Sequence, residues 1–375
     1  MEIQNKVIVF ALEHYNPLGL IRSLGENGIS PIYIAVETKK KIYITSMSKY
    51  IEKTHYVKTV EEGFNLLLNE YGQEELKPFV LFSDDKSVGY FDLHYEQAAD
   101  KFIFFNANSN GRITEFLNKY RILELAKETG LNVLPSIVVN KGEIPSNLEY
   151  PVITKGITPN SGNWKGDVFI CENKEELEDA YEKIASSTVM LQKYIDKKNE
   201  LALQGFTINH GKEMLIATAM TWKYLIKGYY SPYHDVFVFD NPELESKLLK
   251  MFEKIGFEGI FEVEFIIDKD DTIYFSEINF RASAWNYTGS CAGMPLSYLW
   301  AKSMLLGRID DNDRKQFKPF TSLSEPIDYG IRVDTGKISL AEWLKCFKEA
   351  KCTYYYNEND PHPFEMLYDN WDRFK

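Results

Sequence analysis

The first third of the chain alternates short apolar runs with segments in which apolar residues recur at helical spacing. Val7–Leu12 and Ile29–Val36 are apolar runs, which predicts two buried strands. Between them the apolar positions repeat every three or four residues up to Gly25 and Gly28, which predicts a helix that ends there. The same patterns add a helix at Glu61–Tyr71 and strands at Phe79–Ser83 and Phe102–Asn106. This alternation predicts a parallel sheet with helices on both faces.

The rest of the chain changes from alternating strands and helices to paired strands. We predict helices at Ile113–Gly130, Lys174–Ala185 and Pro242–Ile255, and strands at Val133–Val139, Pro151–Thr154, Thr188–Ile195, Leu201–Ile208, Met214–Trp222, Gly259–Asp268 and Thr272–Phe280. A loop rich in Gly, Asn and Ser lies between Lys155 and Val168. This order predicts an α+β region with antiparallel pairs.

Length, charge and cysteine usage narrow the class of protein. A chain of 375 residues predicts two or three domains. The net charge of −12 argues against nucleic acid or an anionic membrane as the main partner, because both attract basic surfaces. No apolar stretch approaches the ~18 residues of a membrane span. The four cysteines are scattered, so we expect neither a zinc site nor disulfides, and a cytoplasmic location.

The most informative segment is FEVEFIIDKDDTIYFSEINFR, residues 261–281. Its two strands flank a turn at Asp270 and Asp271, and symmetric pairing about this turn places Glu264 opposite Glu277. The same symmetry pairs Asp268 with Ile273 and Ile266 with Phe275. Because side chains alternate with period two, one face is predicted to hold Glu262, Glu264, Ile266, Phe275, Glu277 and Asn279.

Two opposed carboxylates on one face need charge compensation. At ~5 Å they repel by roughly 3 kcal/mol at an effective dielectric of ~20. A divalent cation removes this repulsion, and Glu264, Glu277 and the Asn279 amide oxygen are the hard ligands that Mg²⁺ prefers. Arg281 is two residues further on and can hold a phosphate or a carboxylate. A solvated hairpin face and a carboxylate pair that shares one proton remain as alternatives.

Further motifs appear in a fixed order before this hairpin. NKYRILELAKETGLNVLPS spans Asn118–Ser136, YPVITK spans Tyr150–Lys155, and VMLQKYI spans Val189–Ile195. Together with EFI and SEINFR in the hairpin, this ordered set resembles the ATP-grasp superfamily over roughly residues 1–310. The N-terminal half looks most like D-aspartate ligases and carbamoyl-phosphate-synthase-like proteins.

The resemblance implies a Rossmann-like α/β pre-ATP-grasp domain followed by an α+β two-lobed ATP-grasp core. The expected limits are 1–110 for the first domain, 111–310 for the core, with lobes at 111–190 and 191–310, and 311–375 for a C-terminal extension. By resemblance, ATP contacts fall on Lys119, Lys155, Lys165, Gln192, Lys193, Tyr194, Ile195 and Glu200, metal contacts on Glu264, Glu277 and Asn279, and catalytic roles on Arg281 and Lys155. The cofactors would be ATP and one or two Mg²⁺, with Mn²⁺ as a substitute.

The function implied is an ATP-dependent carboxylate–amine ligase that acts through an acyl phosphate. Its substrates would be a small-molecule carboxylate, such as an amino acid, and an amine, and related enzymes suggest a homodimer. The alternatives are a kinase or carboxyphosphate-forming enzyme on the same core, and a nucleotide-binding regulatory module without turnover. No GxxxxGK[ST] or GxSxG motif supports another class of site. Trp285 and Asn286 could contact the second substrate or serve in packing.

Overall fold

The computed structural model describes residues 2–39, 43–157, 166–226 and 230–370. The N-terminal part is a five-stranded parallel sheet in the order β3-β2-β1-β4-β5. Its strands are β1 (Val7–Leu12), β2 (Ile32–Val36), β3 (Lys53–Val57), β4 (Phe79–Phe82) and β5 (Ile103–Phe104). Its helices are α1 (Asn16–Gly25), α2 (Val60–Glu70), α3 (Asp85–Leu93) and α4 (Tyr95–Ala98). The predicted parallel sheet is confirmed.

Strand β3 is the element of this sheet that the sequence pattern did not indicate. It is an edge strand, and only Val57 of its five residues is buried. Lys53, Thr54 and His55 therefore give it a polar composition rather than an apolar run. Edge strands of this kind carry little hydrophobic signal because one side faces solvent.

The predicted single helix at Ile113–Gly130 was wrong, because two helices occupy this segment. They are α5 (Arg112–Phe116) and α6 (Lys119–Glu128). Asn118 separates them with an extended backbone, and its side chain accepts hydrogen bonds from the N–H groups of Tyr120 and Arg121 at 3.0 and 3.1 Å. An asparagine that bonds the backbone in this way begins a new helix rather than continuing an old one. Lys119 is therefore the first residue of α6.

A four-stranded antiparallel sheet follows, in the order β6-β9-β7-β8. Its elements are β6 (Ser136–Asn140), β7 (Val152–Lys155), β8 (Ile170–Cys171), α7 (Lys174–Lys183) and β9 (Thr188–Lys193). Leu177, Ala180 and Tyr181 of α7 are buried against the sheet together with Val152 and Leu191. The loop that leaves this sheet after β7 includes residues 158–165, which lie outside the described part of the chain.

The third sheet has seven strands in the order β14-β13-β10-β11-β12-β15-β16. The strands are β10 (Asn199–Ile208), β11 (Glu213–Trp222), β12 (Tyr233–Phe237), β13 (Gly259–Ile267), β14 (Ile273–Asn279), β15 (Phe320–Leu323) and β16 (Cys352–Thr353). The helices of this part are α8 (Pro242–Ile255), α9 (Tyr287–Cys291), α10 (Leu296–Leu306), α11 (Glu325–Arg332), α12 (Leu340–Glu349) and α13 (His362–Asp369). Residues beyond 310 thus complete this sheet at one edge. Within the described ranges, no helix has the length and apolar character needed to cross a bilayer.

A buried ion pair joins the two ends of the chain. The Arg22 guanidinium of α1 donates to an Asp360 carboxylate oxygen at 3.0 Å, and both side chains are fully buried. The other donors of Arg22 reach the carbonyl oxygens of Tyr354 and Tyr355. Asp360 also accepts from the Ser48 hydroxyl at 2.8 Å. The segment around Tyr354 to Asp360 is therefore fixed against the N-terminal domain.

We predict that Arg22→Met lowers the free energy of unfolding by about 3–5 kcal/mol, because it leaves Asp360 buried without its cation. Urea denaturation of the purified variant measures this loss. Lys6→Met is the matched control, because it breaks an exposed pair with Glu74 and should change stability by less than about 1 kcal/mol. Equal effects of the two substitutions would contradict a dominant role for the buried pair.

Candidate functional site

The hairpin of β13 and β14 places Glu264 directly opposite Glu277, as the sequence predicted. The register nearer the turn differs from the prediction, because Phe265 pairs with Phe275 and Ser276 is left without a partner. This β-bulge changes which side chains share a face. Phe275 was predicted beside the glutamates, but it is buried with Phe265, with ring centroids 5.9 Å apart.

Lys119 at the start of α6 forms an ion pair with Glu277. Their Nζ and Oε2 atoms are 2.6 Å apart, and both side chains are partly buried. The backbone N–H of Lys119 also donates to the carbonyl of Ile157, at the start of the loop after β7. Lys119 lowers the pKa of Glu277, whereas burial would raise it. Burial alone would lower the pKa of Lys119, but Glu277 more than offsets this and the pKa is raised.

Lys155 ends β7 and lies near Lys119 and the two opposed glutamates. Its Nζ donates to the Gln192 amide oxygen at 2.8 Å. Burial and the nearby charge of Lys119 lower the pKa of Lys155 to about 8, although Glu277 and Glu264 act in the opposite direction. The lysines of α6 and β7 and the carboxylates of the hairpin therefore share one electrostatic environment.

Asn279 bridges the acidic side chains. Its Nδ2 donates to Glu262 and to Glu264, at 3.1 Å in each case, and its Oδ1 accepts from Arg281 at 3.0 Å. The amide oxygen that we predicted as a metal ligand thus faces Arg281 in this arrangement, and its metal role stays a prediction. The orientation follows from the hydrogen-bond network. Burial, followed by the charges of Glu277 and Glu262, raises the pKa of Glu264 well above its ordinary value.

Glu262 is the most deeply buried carboxylate of this face and contacts Gln204 of β10. Glu262 is 3% exposed and accepts from the Gln204 amide, which also donates to the Ser283 hydroxyl at 3.0 Å. Burial raises the pKa of Glu262. The sequence pattern placed Glu262 on the acidic face without giving it a role. It did not indicate Gln204, which belongs to β10 and meets the hairpin only through the sheet.

Arg281 connects the acidic face with the N-terminal domain. Its Nε and Nη2 donate to the two carboxylate oxygens of Asp85 at 2.9 and 3.3 Å. Burial would lower the pKa of Arg281, but Asp85 more than offsets this and the pKa is raised. Asp85 begins α3 directly after β4, at the carboxyl edge of the parallel sheet. The sequence pattern did not single out Asp85, although two aspartates directly after a buried strand mark a candidate position.

The remaining predicted contacts lie on β9 and at the start of β10. Gln192 is buried and donates to the Ser136 hydroxyl at 2.9 Å. The N–H groups of Lys193 and Tyr194 donate to the carbonyls of Pro135 and Pro151, at 2.8 and 2.9 Å, so this segment lies between β6 and β7. Ile195 follows directly in sequence.

Glu200 lies on the same sheet as the acidic hairpin. Its carboxylate accepts a hydrogen bond from Lys197, and its backbone pairs with Ile266 of β13. Ala202, two residues further on, pairs with Glu264, so Glu200 belongs to the same face of the sheet. Lys165, which was predicted to contact ATP, lies outside the described residues.

Trp285 and Asn286 are buried, which favours the packing alternative. The Trp285 ring contacts His234 and Tyr354, with centroid distances of 4.7 and 5.2 Å. The Asn286 amide donates to the carbonyl of Asn16 in the N-terminal domain at 3.2 Å. Both residues thus hold the segment after Arg281 in place.

Few side chains in the described residues are placed to bind a cation. Among the described residues, no group of three or more His, Cys, Asp or Glu side chains is arranged to hold a metal ion. The hairpin instead offers two opposed carboxylates with an adjacent amide, and Lys119 provides the compensating charge for one of them. Two carboxylates complete an Mg²⁺ site only together with polyphosphate or water oxygens.

Comparison with known proteins gives matches of low identity. No family model matches the chain. N5-carboxyaminoimidazole ribonucleotide synthase of Staphylococcus aureus (strain COL) is 27% identical over 160 residues, which covers 41% of this chain and 42% of the relative. The match therefore spans less than half of that relative's length.

Solved structures resemble a larger part of the chain. N5-carboxyaminoimidazole synthetase from Staphylococcus aureus superposes with a TM-score of 0.66 and 15% identity, covering 90% of this chain and 87% of the other. L-amino acid ligase from Bacillus licheniformis gives 0.64 and 12%, covering 85% and 80%. The biotin carboxylase domain of Hydrogenobacter thermophilus 2-oxoglutarate carboxylase, in complex with MgADP, ADP and bicarbonate, gives 0.65 and 18%, covering 85% and 74%. At these identities the likeness establishes the fold alone.

We predict that Lys155 loses its proton near pH 8, below the usual value for lysine. Selective ¹³Cε labelling of lysine and NMR titration measure this pKa, with Lys119 as the internal comparison because its pKa is raised. In Glu277→Gln the pKa of Lys155 should fall further, because one attractive negative charge is removed. A Lys155 resonance that titrates at or above the usual pKa would contradict the described environment.

Proposed function

We propose that this chain, which has the ATP-grasp fold, is an ATP-dependent ligase that activates a carboxylate as an acyl phosphate and transfers it to an amine. The contact between Lys119 and Glu277 carries the proposal. It brings a lysine that precedes the four-stranded sheet against the acidic hairpin of the seven-stranded sheet. Lys155 and Arg281 lie close enough to lower the pKa of the same Glu277 carboxylate. Three cations around one acidic hairpin suit a triphosphate and a carboxylate held side by side.

ATP would bind between the four-stranded and seven-stranded sheets. The adenine would lie against the segment from Gln192 to Ile195, and Glu200 would contact the ribose. Lys119 and Lys155 would bind phosphate oxygens, with Lys165 as a further candidate. The partly buried hydrogen bond of Lys155 with Gln192 supports this assignment, because it holds the ammonium at the entrance to the loop after β7.

The acidic hairpin fits one or two Mg²⁺ ions, or Mn²⁺, held by Glu264, Glu277 and Asn279. The opposed carboxylates supply the hard oxygen ligands. A dication between them would relieve their mutual repulsion, which favours its binding. Such an ion would neutralise charge on the β- and γ-phosphates of ATP and polarise the transferred phosphoryl group. The Asn279 amide would have to turn its oxygen from Arg281 towards the carboxylates.

The chain's own residues would act by position and charge. Lys119 and Lys155 would stabilise the negative charge that spreads over the phosphoryl oxygens during transfer. Arg281 would hold the attacking carboxylate and later stabilise the tetrahedral intermediate formed with the amine. His234, in the nearby core, does not suit acid–base chemistry, because burial lowers its pKa to about 3.

The substrates are proposed by class: a small carboxylate, with amino acids as the first candidates, and a small-molecule amine. The structural likeness to an L-amino acid ligase supports the amino acid. Bicarbonate is the second candidate acid, since a neighbour of the same fold is described in complex with bicarbonate. That substrate would make the chain a carboxyphosphate-forming enzyme. A homodimer remains a prediction from the resemblance.

Phosphate release from Mg²⁺-ATP tests the proposed function. Release should require an acid, and the panel comprises amino acids, other small carboxylates and bicarbonate, with and without amines. Glu277→Gln should lower the rate by at least about 10²-fold, because it removes a carboxylate that would hold Mg²⁺ on the phosphates. Glu253→Gln on the exposed face of α8 is the matched control and should leave the rate unchanged. A wild-type protein that binds ATP but releases no phosphate with any acid would support a regulatory module instead.

A second prediction concerns cation binding without nucleotide. Lys119→Met removes the ammonium that occupies Glu277, so the affinity for Mn²⁺ alone should rise, on the order of tenfold. Electron paramagnetic resonance of free Mn²⁺ measures this affinity. Lys198→Met is the control, because it removes the same charge from an exposed pair with Asp271 at the hairpin turn. An unchanged or weaker affinity in Lys119→Met would argue against Glu277 as a ligand.

A further inference from the structure

Arg281 is held from two sides by carboxylate and amide oxygens. Asp85 accepts from Nε and Nη2, and Asn279 Oδ1 accepts the second hydrogen of Nη2. A guanidinium has five N–H donors in one plane, so the two contacts with Asp85 alone fix its position and its rotation, also when the Asn279 amide turns towards a cation. Nη1 makes no hydrogen bond with the residues that the structure describes. The edge of Arg281 that carries Nη1 is therefore the one left to bind a substrate.

Asp85 is itself in a fixed position. Asp84, the residue before it, caps α3 by accepting from Ser87 N–H at 2.9 Å and also accepts from Leu12 N–H at the end of β1 at 2.8 Å. These contacts attach the start of α3 to the central strand of the parallel sheet. A carboxylate on a rigid helix start can orient its partner, whereas one on a loose loop cannot.

The backbone reinforces this contact between domains. Ala282 N–H, directly after Arg281, donates to the carbonyl of Phe82 at the end of β4 at 3.1 Å. The chain around Arg281 is thus attached to the N-terminal domain through both its backbone and its side chain. The pair is only partly exposed, 16% for Arg281 and 29% for Asp85, so solvent screens it weakly.

We propose that Asp85 is a positioning residue for the acid substrate: it orients Arg281 so that Nη1 binds the carboxylate that attacks ATP. This inference rests on the proposed ligase function and assigns the N-terminal domain a part in it. Asp85 acts through Arg281 and does not contact ATP. Its loss affects the acid and leaves nucleotide binding intact.

The substitution Asp85→Asn tests whether Asp85 orients Arg281, with little change in side-chain volume. The new amide oxygen can still accept from Nε, but its NH₂ group faces Nη2, so the two-point contact is lost. In Asp85→Asn, kcat/KM for the acid falls at least tenfold, while KM for ATP stays within twofold. The melting temperature falls by a few degrees, because a partly buried ion pair loses one of its charges. Glu96→Gln, an exposed charge removal on α4 of the same domain, is the matched control and changes none of these values.

A double-mutant cycle with Arg281→Lys shows whether Asp85 works through the guanidinium. Lysine keeps the charge and lacks the fork, so orientation by Asp85 no longer matters. Adding Asp85→Asn to Arg281→Lys then changes kcat/KM for the acid by less than twofold. This outcome, together with the tenfold loss in the single variant, supports the proposal.

Other outcomes overturn it. An Asp85→Asn variant within twofold of wild type, a rise in its acid affinity, additive losses in the cycle, or a parallel loss of ATP affinity each exclude a positioning role. If the wild-type protein releases phosphate and Asp85→Asn does not differ from it, the inference fails and the ligase function stands. If no acid supports release by the wild type, both fail.

Discussion

The acidic face of the β13–β14 hairpin constrains its surroundings, because Glu262, Glu264 and Glu277 lie close together and are buried or partly buried. The described structure compensates their charge with Lys119 and Arg281, and Asn279 donates hydrogen bonds to two of them. Each of these residues is in turn held by another part of the fold. The electrostatic balance of one hairpin therefore links the parallel sheet, the four-stranded sheet and the seven-stranded sheet.

The bulge at Ser276 is the local feature that makes this arrangement possible. It turns Phe275 into the core, and the backbone N–H of Phe275 donates to the carbonyl of Asn132 at 2.8 Å. The segment after α6 thus docks on β14, with a bridge between Val133 and Phe275. The segment that follows the C-terminal end of α6 is thus fixed to β14. At the N-terminal end of the same helix, Lys119 contacts Glu277. A regular strand would have put the aromatic ring where the carboxylates now meet their cations.

The sequence predicted most of the strands and the Glu264–Glu277 pair, because apolar periodicity and the symmetry of a short turn are local signals. The bulge was not predictable from alternation, since one unpaired residue leaves both flanking patterns intact. The helical pattern continues through Asn118, so its capping role is not visible in the sequence. That role depends on the extended backbone at Asn118, which lets its side chain bond the first N–H groups of α6. Asp85 and Gln204 gained their contacts through pairings over many residues. A single sequence does not show which distant side chains meet, even where the position of Asp85 after a buried strand marks it as a candidate. Strand β3 was not predicted, because an edge strand needs few apolar residues.

Diffraction from crystals of the protein with a non-hydrolysable ATP analogue and Mn²⁺ tests the central claim most directly, because anomalous scattering locates the cation without assumptions about its ligands. The charge balance described above places Mn²⁺ between Glu264 and Glu277, in contact with phosphate oxygens, with the Lys119 ammonium moved from Glu277 to the phosphates. A nucleotide bound elsewhere, or a cation that leaves the Lys119–Glu277 pair intact and contacts neither carboxylate, would contradict it.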